Sequence, residues 1–353
     1  MARLSCLKRA AGAAALLEAL AAAAAPQPFV DPINTPAQIS RLAHRAPVMA
    51  LAPAGARLIA AGARGHILWS DDAGKSWQQA RVPVSSDLVA LSFPTPLHGW
   101  AVGHSGVVLH TEDGGKTWQR QLAGLDATRA ALKAYEASPP KDPQQVLGLN
   151  TQLETNRGEP FLDVHFWNEH SGFVIGTFGS IFRTDDGGRT WQPWMTRMDN
   201  PDGLNLFAIH GRDDRIFITG EQGKVWKLDV RARHFSMSST PYAGTLFGLR
   251  VGEPGHLIAY GMRGALLRST DDGASWRTVK AGTSAGLTSA IETADGRLLI
   301  GDSTGNLLTS RDGGQSYVRT PARMPAPIFA LGPGGPGGIV IGGPMGLLPH
   351  ALP

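Results

Sequence analysis

Apolar runs of three to five residues alternate along this chain with short glycine-bearing turns, and the alternation repeats as a unit. Leu58 to Ala61 is followed by Gly62-Ala63-Arg64-Gly65, then by Ile67 to Trp69 and a polar cluster opening at Ser70. The same order recurs around Gly103-His104-Ser105-Gly106, Gly176-Thr177-Phe178-Gly179, Gly220-Glu221-Gln222-Gly223, Gly261-Met262-Arg263-Gly264 and Gly301 to Gly305. Runs this short, bounded by glycine turns, predict strands rather than helices. A seventh unit starts at Pro327-Ile328-Phe329-Ala330-Leu331 and continues through Ile339 to Gly342 and Gly346-Leu347-Leu348. It stops before a fourth strand.

Five units close on one polar box, Ser/Thr-x-Asp-x-Gly-x-Ser/Thr-aromatic. The boxes are Ser70-Asp72-Gly74-Ser76-Trp77, Thr111-Asp113-Gly115-Thr117-Trp118, Thr184-Asp186-Gly188-Thr190-Trp191, Ser269-Asp271-Gly273-Ser275-Trp276 and Ser310-Asp312-Gly314-Ser316-Tyr317. The closing aromatics lie 41 residues apart between the first two boxes and between the last two. In the fourth unit the box has decayed, but Phe235 still falls 41 residues before Trp276. A period near forty with one sharp turn per unit is that of a four-stranded propeller blade. The expected fold is therefore all-β: a seven-bladed β-propeller over residues 26–353. Within a box, the aspartate and hydroxyls can accept backbone N–H groups, the glycine permits the tight angle, and the aromatic packs beneath the loop. Aspartates spread around a ring cannot converge on one substrate, so the boxes are read as structural, with no metal and no catalytic role.

Between Trp118 and Trp191 the gap widens to 73 residues. The surplus, about 122–160, breaks the strand pattern. Asp126 is placed to cap a helix carrying Leu132 and Tyr135 on one face. Asp142-Pro143 opens a second, with Val146, Leu149 and Leu153 recurring behind it, and Pro139-Pro140 parts the two. A helical hairpin is predicted between blades 2 and 3. The last blade, one strand short, would leave an open edge. Residues 28–41 are expected to supply its outer strand, a position where Pro32 and Pro36 are tolerable.

Residues 1–25 differ from the rest. Arg3, Lys8 and Arg9 precede an Ala/Leu stretch ending in Ala23-Ala24-Ala25, the pattern of a cleaved secretory signal. The single cysteine, Cys6, lies ahead of that stretch, so the remainder has neither a disulfide framework nor thiol chemistry. The formal net charge of +4 falls to +2 beyond residue 25, with signs interspersed. No basic run with interleaved aromatics occurs, which argues against nucleic acid as a partner. No cofactor is expected.

The box grammar resembles that of Asp-box (BNR) repeat proteins, and is most similar to bacterial propellers related to the photosystem II stability and assembly factors. The resemblance rests on Gly-His-Ile-Leu-Trp-Ser-Asp-Asp-Ala-Gly-Lys-Ser-Trp at 65–77, on His98-Gly99-Trp100-Ala101-Val102-Gly103, and on Phe182-Arg-Thr-Asp-Asp-Gly-Gly-Arg-Thr-Trp191. It implies an exported, periplasmic or lumenal, non-catalytic protein-binding scaffold that assists a membrane protein complex. In a photosynthetic host that complex is photosystem II; elsewhere it is another envelope complex such as a transporter. A monomer is expected.

Candidate site residues follow from propeller geometry. Turns joining the second and third strands share a face with the inter-blade connections, opposite the boxes. That face should carry Arg64, His104, Phe178, Glu221, Arg263 and Asp302, with Arg129, Leu132 and Tyr135 from the hairpin, as a docking surface. Asp163 and His165 alternate onto one side of an innermost strand and are expected to line the channel. His104 and His110 flank a strand, with no third ligand in view. The alternative is an Asp-box glycosidase of the sialidase kind, or a glycan- or small-ligand-binding propeller. A sialidase site needs three arginines on a substrate carboxylate and a tyrosine paired with a glutamate. Only Tyr242 and Tyr260 are left for it once Tyr317 and Tyr135 are placed in a box and in the hairpin.

Overall fold

The computed structural model describes residues 30–155, 157–321 and 326–352; the predicted signal, 1–25, lies outside them. Seven antiparallel sheets span 48–79, 88–122, 161–193, 206–239, 246–278, 287–321 and 330–351, and their first strands neighbour one another around a ring. Six sheets have four strands in sequence order, and the last has three. This is the expected seven-bladed propeller. Between the second and third blades stand helix α1 (Gly124–Ala137) and helix α2 (Gln144–Glu154), as predicted. Asp142 caps α2, its Oδ1 accepting the Gln144 amide at 2.9 Å. Asp126 does not cap α1; it lies in the first turn and pairs with Arg129 at 2.9 Å.

Each box builds its turn from its own atoms. In the first, Ser70 Oγ accepts the Gly74 amide at 2.8 Å and donates to Asp72 Oδ1 at 2.7 Å. Asp72 in turn accepts the Ser76 amide at 2.9 Å and its hydroxyl at 2.5 Å. The Trp77 indole donates to the Gly74 carbonyl at 3.1 Å, and Gly74 adopts φ +85°. The decayed box of blade four keeps a turn by another route, Asp229 Oδ1 accepting the Arg231 and Ala232 amides. Its fourth strand, His234–Ser239, survives with Phe235 fully buried.

One expectation fails. The described part of residues 28–41 contributes no strand to the last blade, which stays three-stranded among the described residues. The segment instead runs beside the exit from blade one. The Ala37 amide donates to Val82 O at 3.0 Å, the Ser85 amide to Pro32 O at 2.8 Å, and the Ser40 amide to Gln79 Oε1 at 2.8 Å. The link 80–85 offers backbone groups that match a segment broken by Pro32 and Pro36, and Ala37 is buried in the core between blades one and two. Closure is achieved by packing: Val48–Ala54 lies against Ala330–Pro333, and the chain at His44 passes over Gly346. A Cβ at Gly346 would stand 2.2 Å from His44 O.

Hydrogen bonding by the Ser275 hydroxyl, then by its amide, holds the Asp271 carboxyl at about 2. The Ser76 and Ser316 hydroxyls likewise hold Asp72 and Asp312 well below the usual carboxylate range. A carboxylate with a depressed folded pKa stabilises above its unfolded value and loses that contribution as pH falls through the folded one. Asp271→Asn should therefore lower the melting temperature at pH 7. The difference from wild type should shrink below about pH 4 and vanish only below about pH 2, as followed by circular dichroism melts across that range.

Candidate functional site

The face opposite the boxes is built from the Gly-x-x-Gly turns. Arg64, Ser105, Phe178, Gln222 and Arg263 sit at the turn tips with φ between 53° and 59°, in the left-handed region. A residue with φ > 0 is costly without support, and neighbouring blades supply it. Asp87 Oδ1 accepts the Arg64 amide and Asn205 Oδ1 accepts the Phe178 amide, both at 2.7 Å. The tips thus present their side chains outward: Arg64, Phe178 and Arg263 are exposed, with His104 beside its tip. Two expected members of the ring are absorbed by structure. Asp302 is fully buried, accepting the Thr304 and Asn306 amides and pairing with Arg319 at 3.3 Å, so it shapes the blade-six turn. The Glu221 carboxylate accepts the Asn205 amide at 2.8 Å, which locks the residue that supports Phe178.

The hairpin rises from this face, where three glycines let it touch the propeller. A Cβ on Gly124 would stand 2.5 Å from Ser105 O, and one on Gly158 would stand 2.6 Å from Gly124 Cα; Gly106 is equally crowded. Beneath the hairpin lies a cavity of about 500 Å³. Ala127, Ala131 and Tyr135 of α1, Leu147 and Leu149 of α2, and Phe161, Phe178, Phe182 and Met195 of blade three line it. Hydrogen bonds from Thr128 to Gln152 at 2.8 Å and from Tyr135 to Gln145 at 2.7 Å tie the helices together across it. Burial pushes the Tyr135 phenol up to about 12, so it stays a neutral donor. Tyr135 is thus a buried wall of the cavity and not an outward contact; Leu132 is half-buried and Arg129 exposed. The cavity is open, with Phe178 62% and Leu147 57% exposed at its rim beside Gln144, Arg157 and Asp202. Leu147 and Met195 escaped the sequence reading because only the docked hairpin brings them to Phe178.

Asp163 and His165 do lie on an innermost strand, Phe161–Phe166. Asp163 is a clasp between blades: Oδ2 accepts the Ile209 amide of blade four at 2.8 Å, and Oδ1 its neighbour Val164 amide. Ser92 does the same for Phe166 at 3.0 Å and Ser289 for Leu331 at 3.0 Å. Burial raises the Asp163 carboxyl to about 7, against the two amides that favour its charge, and burial lowers His165 to about 4. His165 stacks on His210, ring centroids 5.9 Å apart. His104 and His110 are not brought together. His110 stacks on Trp100 at 4.4 Å, with His98 beyond it, and His98, His110 and Glu112 place ligand atoms within 4.8 Å of one another.

Residues 69–136 and 144–320 match the family model described as photosynthesis system II assembly factor YCF48, well over half of the sequence. The chain belongs to that family. It is 28% identical over 180 residues to the photosystem II assembly protein Ycf48 of Synechococcus sp. (strain JA-2-3B'a(2-13)), covering 43% of this chain and 52% of the relative. It is 24% identical over 189 residues to the photosystem II assembly lipoprotein Ycf48 of Synechococcus sp. (strain CC9902), covering 52% of this chain and 54% of the relative. The chain spans about half the length of the curated relatives it matches. Among solved structures, YCF48 bound to D1 peptide superposes with TM-score 0.64 at 17% identity, over 88% of this chain and 94% of that one. YCF48 from Cyanidioschyzon merolae gives 0.63 at 14% identity over 90% and 98%. The WD40 propeller of Doa1 gives 0.62 at 8% over 90% and 95%; these likenesses show the fold.

The two channel groups oppose each other in their effect on stability. A raised carboxyl pKa makes the folded state lose stability as pH rises from about 4 to 7, and a lowered imidazole pKa makes it gain stability as pH rises from about 4 to 6.5. Asp163→Asn removes the first effect alone. Its melting temperature should climb more steeply than that of wild type between pH 4.5 and 7; parallel curves would show that Asp163 titrates normally.

Proposed function

We propose that this member of the YCF48 family works without catalysis, as an exported docking platform that assists the assembly and stability of a membrane protein complex. The cavity under the hairpin takes a client segment past Leu147 and Phe178 at its rim. One observation carries the reading: an open, mainly apolar cavity, formed by an insertion, on the face that carries the Gly-x-x-Gly turn tips. Exposed apolar patches of this kind mark interaction sites. A solved relative carries a D1 peptide, and the named relatives are photosystem II assembly proteins, one of them a lipoprotein. In a photosynthetic host the client is a photosystem II subunit at the lumenal membrane face; in another host it is a periplasmic segment of a different envelope complex.

The glycosidase reading finds no support. Tyr135 and Tyr317 are structural, and the Tyr242 hydroxyl is bonded to Met262 O at 2.8 Å. Burial pushes the Tyr260 phenol far above its usual range, the reverse of what an attacking tyrosine needs.

Removing the hairpin outright is a poor test, because Ala127 and Ala131 share a core with Phe161 and Phe182. The double variant Leu147→Glu/Phe178→Glu alters exposed positions only. Installing a photo-crosslinking residue at 149 and isolating membrane-bound adducts should yield one predominant membrane complex with wild type. The variant should lose at least nine-tenths of that adduct while its melting temperature stays within about 2 °C. Undiminished adducts would overturn the assignment of the cavity.

A further inference from the structure

We infer that the central channel holds a small organic carboxylate, bound by Arg250 and His210 with His165 beside them. The three residues come from consecutive blades and occupy one register position. His165 pairs with Phe173, His210 with Phe217 and Arg250 with Ile258, each three places below the glycine that ends its second strand. Blade two places Ser92 at that level, its hydroxyl spent on the Phe166 amide, and blades six, seven and one place Ile291, Gly332 and Ala52 there. The two imidazoles and the guanidinium thus extend one arc from Ser92, and blades six, seven and one close the ring with apolar residues. All three are half-buried, on the innermost strands of blades three, four and five.

His210 carries the argument. The Val251 amide donates to Nδ1 at 3.3 Å, and Arg250 Nη1 stands 3.1 Å from Nε2. A neutral imidazole has one donor and one acceptor. Burial, and after it the Arg250 charge, push His210 well below its ordinary value, so it is neutral. Whichever nitrogen holds the proton, one of these contacts sets donor against donor. The Val251 amide is fixed by its strand, so Nδ1 accepts and Nε2–H confronts the guanidinium. An acceptor placed between them resolves the conflict. Arg250 has no carboxylate within ion-pair distance among the described residues; the groups whose charge reaches it are the Tyr260 hydroxyl and Glu292. An uncompensated half-buried guanidinium beside an imidazole N–H is a set of donors awaiting an oxyanion.

Carboxylate fits better than phosphate. The guanidinium fork presents two parallel N–H groups to two oxygens, and Nε2–H adds a third donor. Asp163 and Glu292 nearby oppose a second negative charge. On the turn-face side of the arc Phe207 and Phe247 meet edge to face at 5.8 Å. The site is separate from the hairpin cavity, and its existence does not depend on the client-binding reading.

The test uses the full chain with sodium acetate as probe and sodium chloride at equal ionic strength as control. In wild type, acetate should shift the imidazole ¹H–¹⁵N correlations of His210 and His165 saturably, and raise the melting temperature above the chloride control. Arg250→Met should weaken that titration at least tenfold. Histidine signals identical in acetate and chloride would overturn the proposal, as would an equal acetate response in Arg250→Met. A response to phosphate but not to acetate would overturn the carboxylate assignment. Should Arg250→Met not fold, the wild-type histidine titration decides alone.

Discussion

The inner edge of each blade is the constraint on which the rest of this molecule depends. Hydrogen-bonded ladders run within a blade, from its first strand outward, and stop there. The innermost strand therefore offers backbone groups along an edge that no strand covers, and a buried unpaired amide costs free energy comparable to a lost hydrogen bond. This chain answers with side chains lent across the seams: Ser92 to Phe166, Asp163 to Ile209, His210 to Val251 and Ser289 to Leu331. Each lender stands one place before the register position of the amide it satisfies in the following blade. Polar residues at the heart of a propeller are thereby obligatory, and their presence there is not in itself a sign of catalysis.

That constraint also separates the ordinary from the unusual among the channel residues. Serine meets the requirement with a neutral oxygen and no side effect. Asp163 meets it with two lone pairs, at the cost of a carboxyl that burial drives toward neutrality. His210 meets it with Nδ1, and so commits its proton to the nitrogen that faces Arg250. A serine at 210 would have left Arg250 unopposed, and a methionine at 250 would have left the histidine satisfied. The conflict arises from the pair.

Much of the architecture was legible because it is local. The box residues bond within five positions of one another, so their spacing survives in sequence, and the Gly-x-x-Gly turns are set by backbone angles that the glycines and tip residues must adopt. The hairpin was legible from Asp142-Pro143 and the apolar recurrence behind it. What escaped depends on contacts between distant segments. The path of residues 32–41 was misread because a missing outer strand suggests an internal remedy, whereas free backbone groups at 80–85 lie nearer in space. Tyr135 reads as an amphipathic surface residue until Gln145 of the second helix is seen across from it. The arc of His165, His210 and Arg250 is hidden by unequal spacing, 45 and then 40 residues. A bulge at the start of each inner strand, at Leu162, Phe207 and Phe247, further shifts the alternation by one.

The two faces of the propeller divide labour for the same local reason. A box consumes its own polar groups: hydroxyl and carboxylate bond inside the turn, and in the first two boxes the indole does as well, so little of the box motif remains to recognise a partner. The opposite turns are closed by acceptors from the next blade, Asp87 and Asn205 among them, and this frees the tip side chain to point outward in the left-handed conformation. Variation at a tip therefore leaves the turn intact, whereas variation in a box does not. An insertion is tolerated on this face, between blades, provided that its two ends can cross the Ser105 turn closely, while its Ala127 and Ala131 pack on Phe161 and Phe182. Gly106, Gly124 and Gly158 fulfil that condition, and the space left between the hairpin and Phe178 is the cavity.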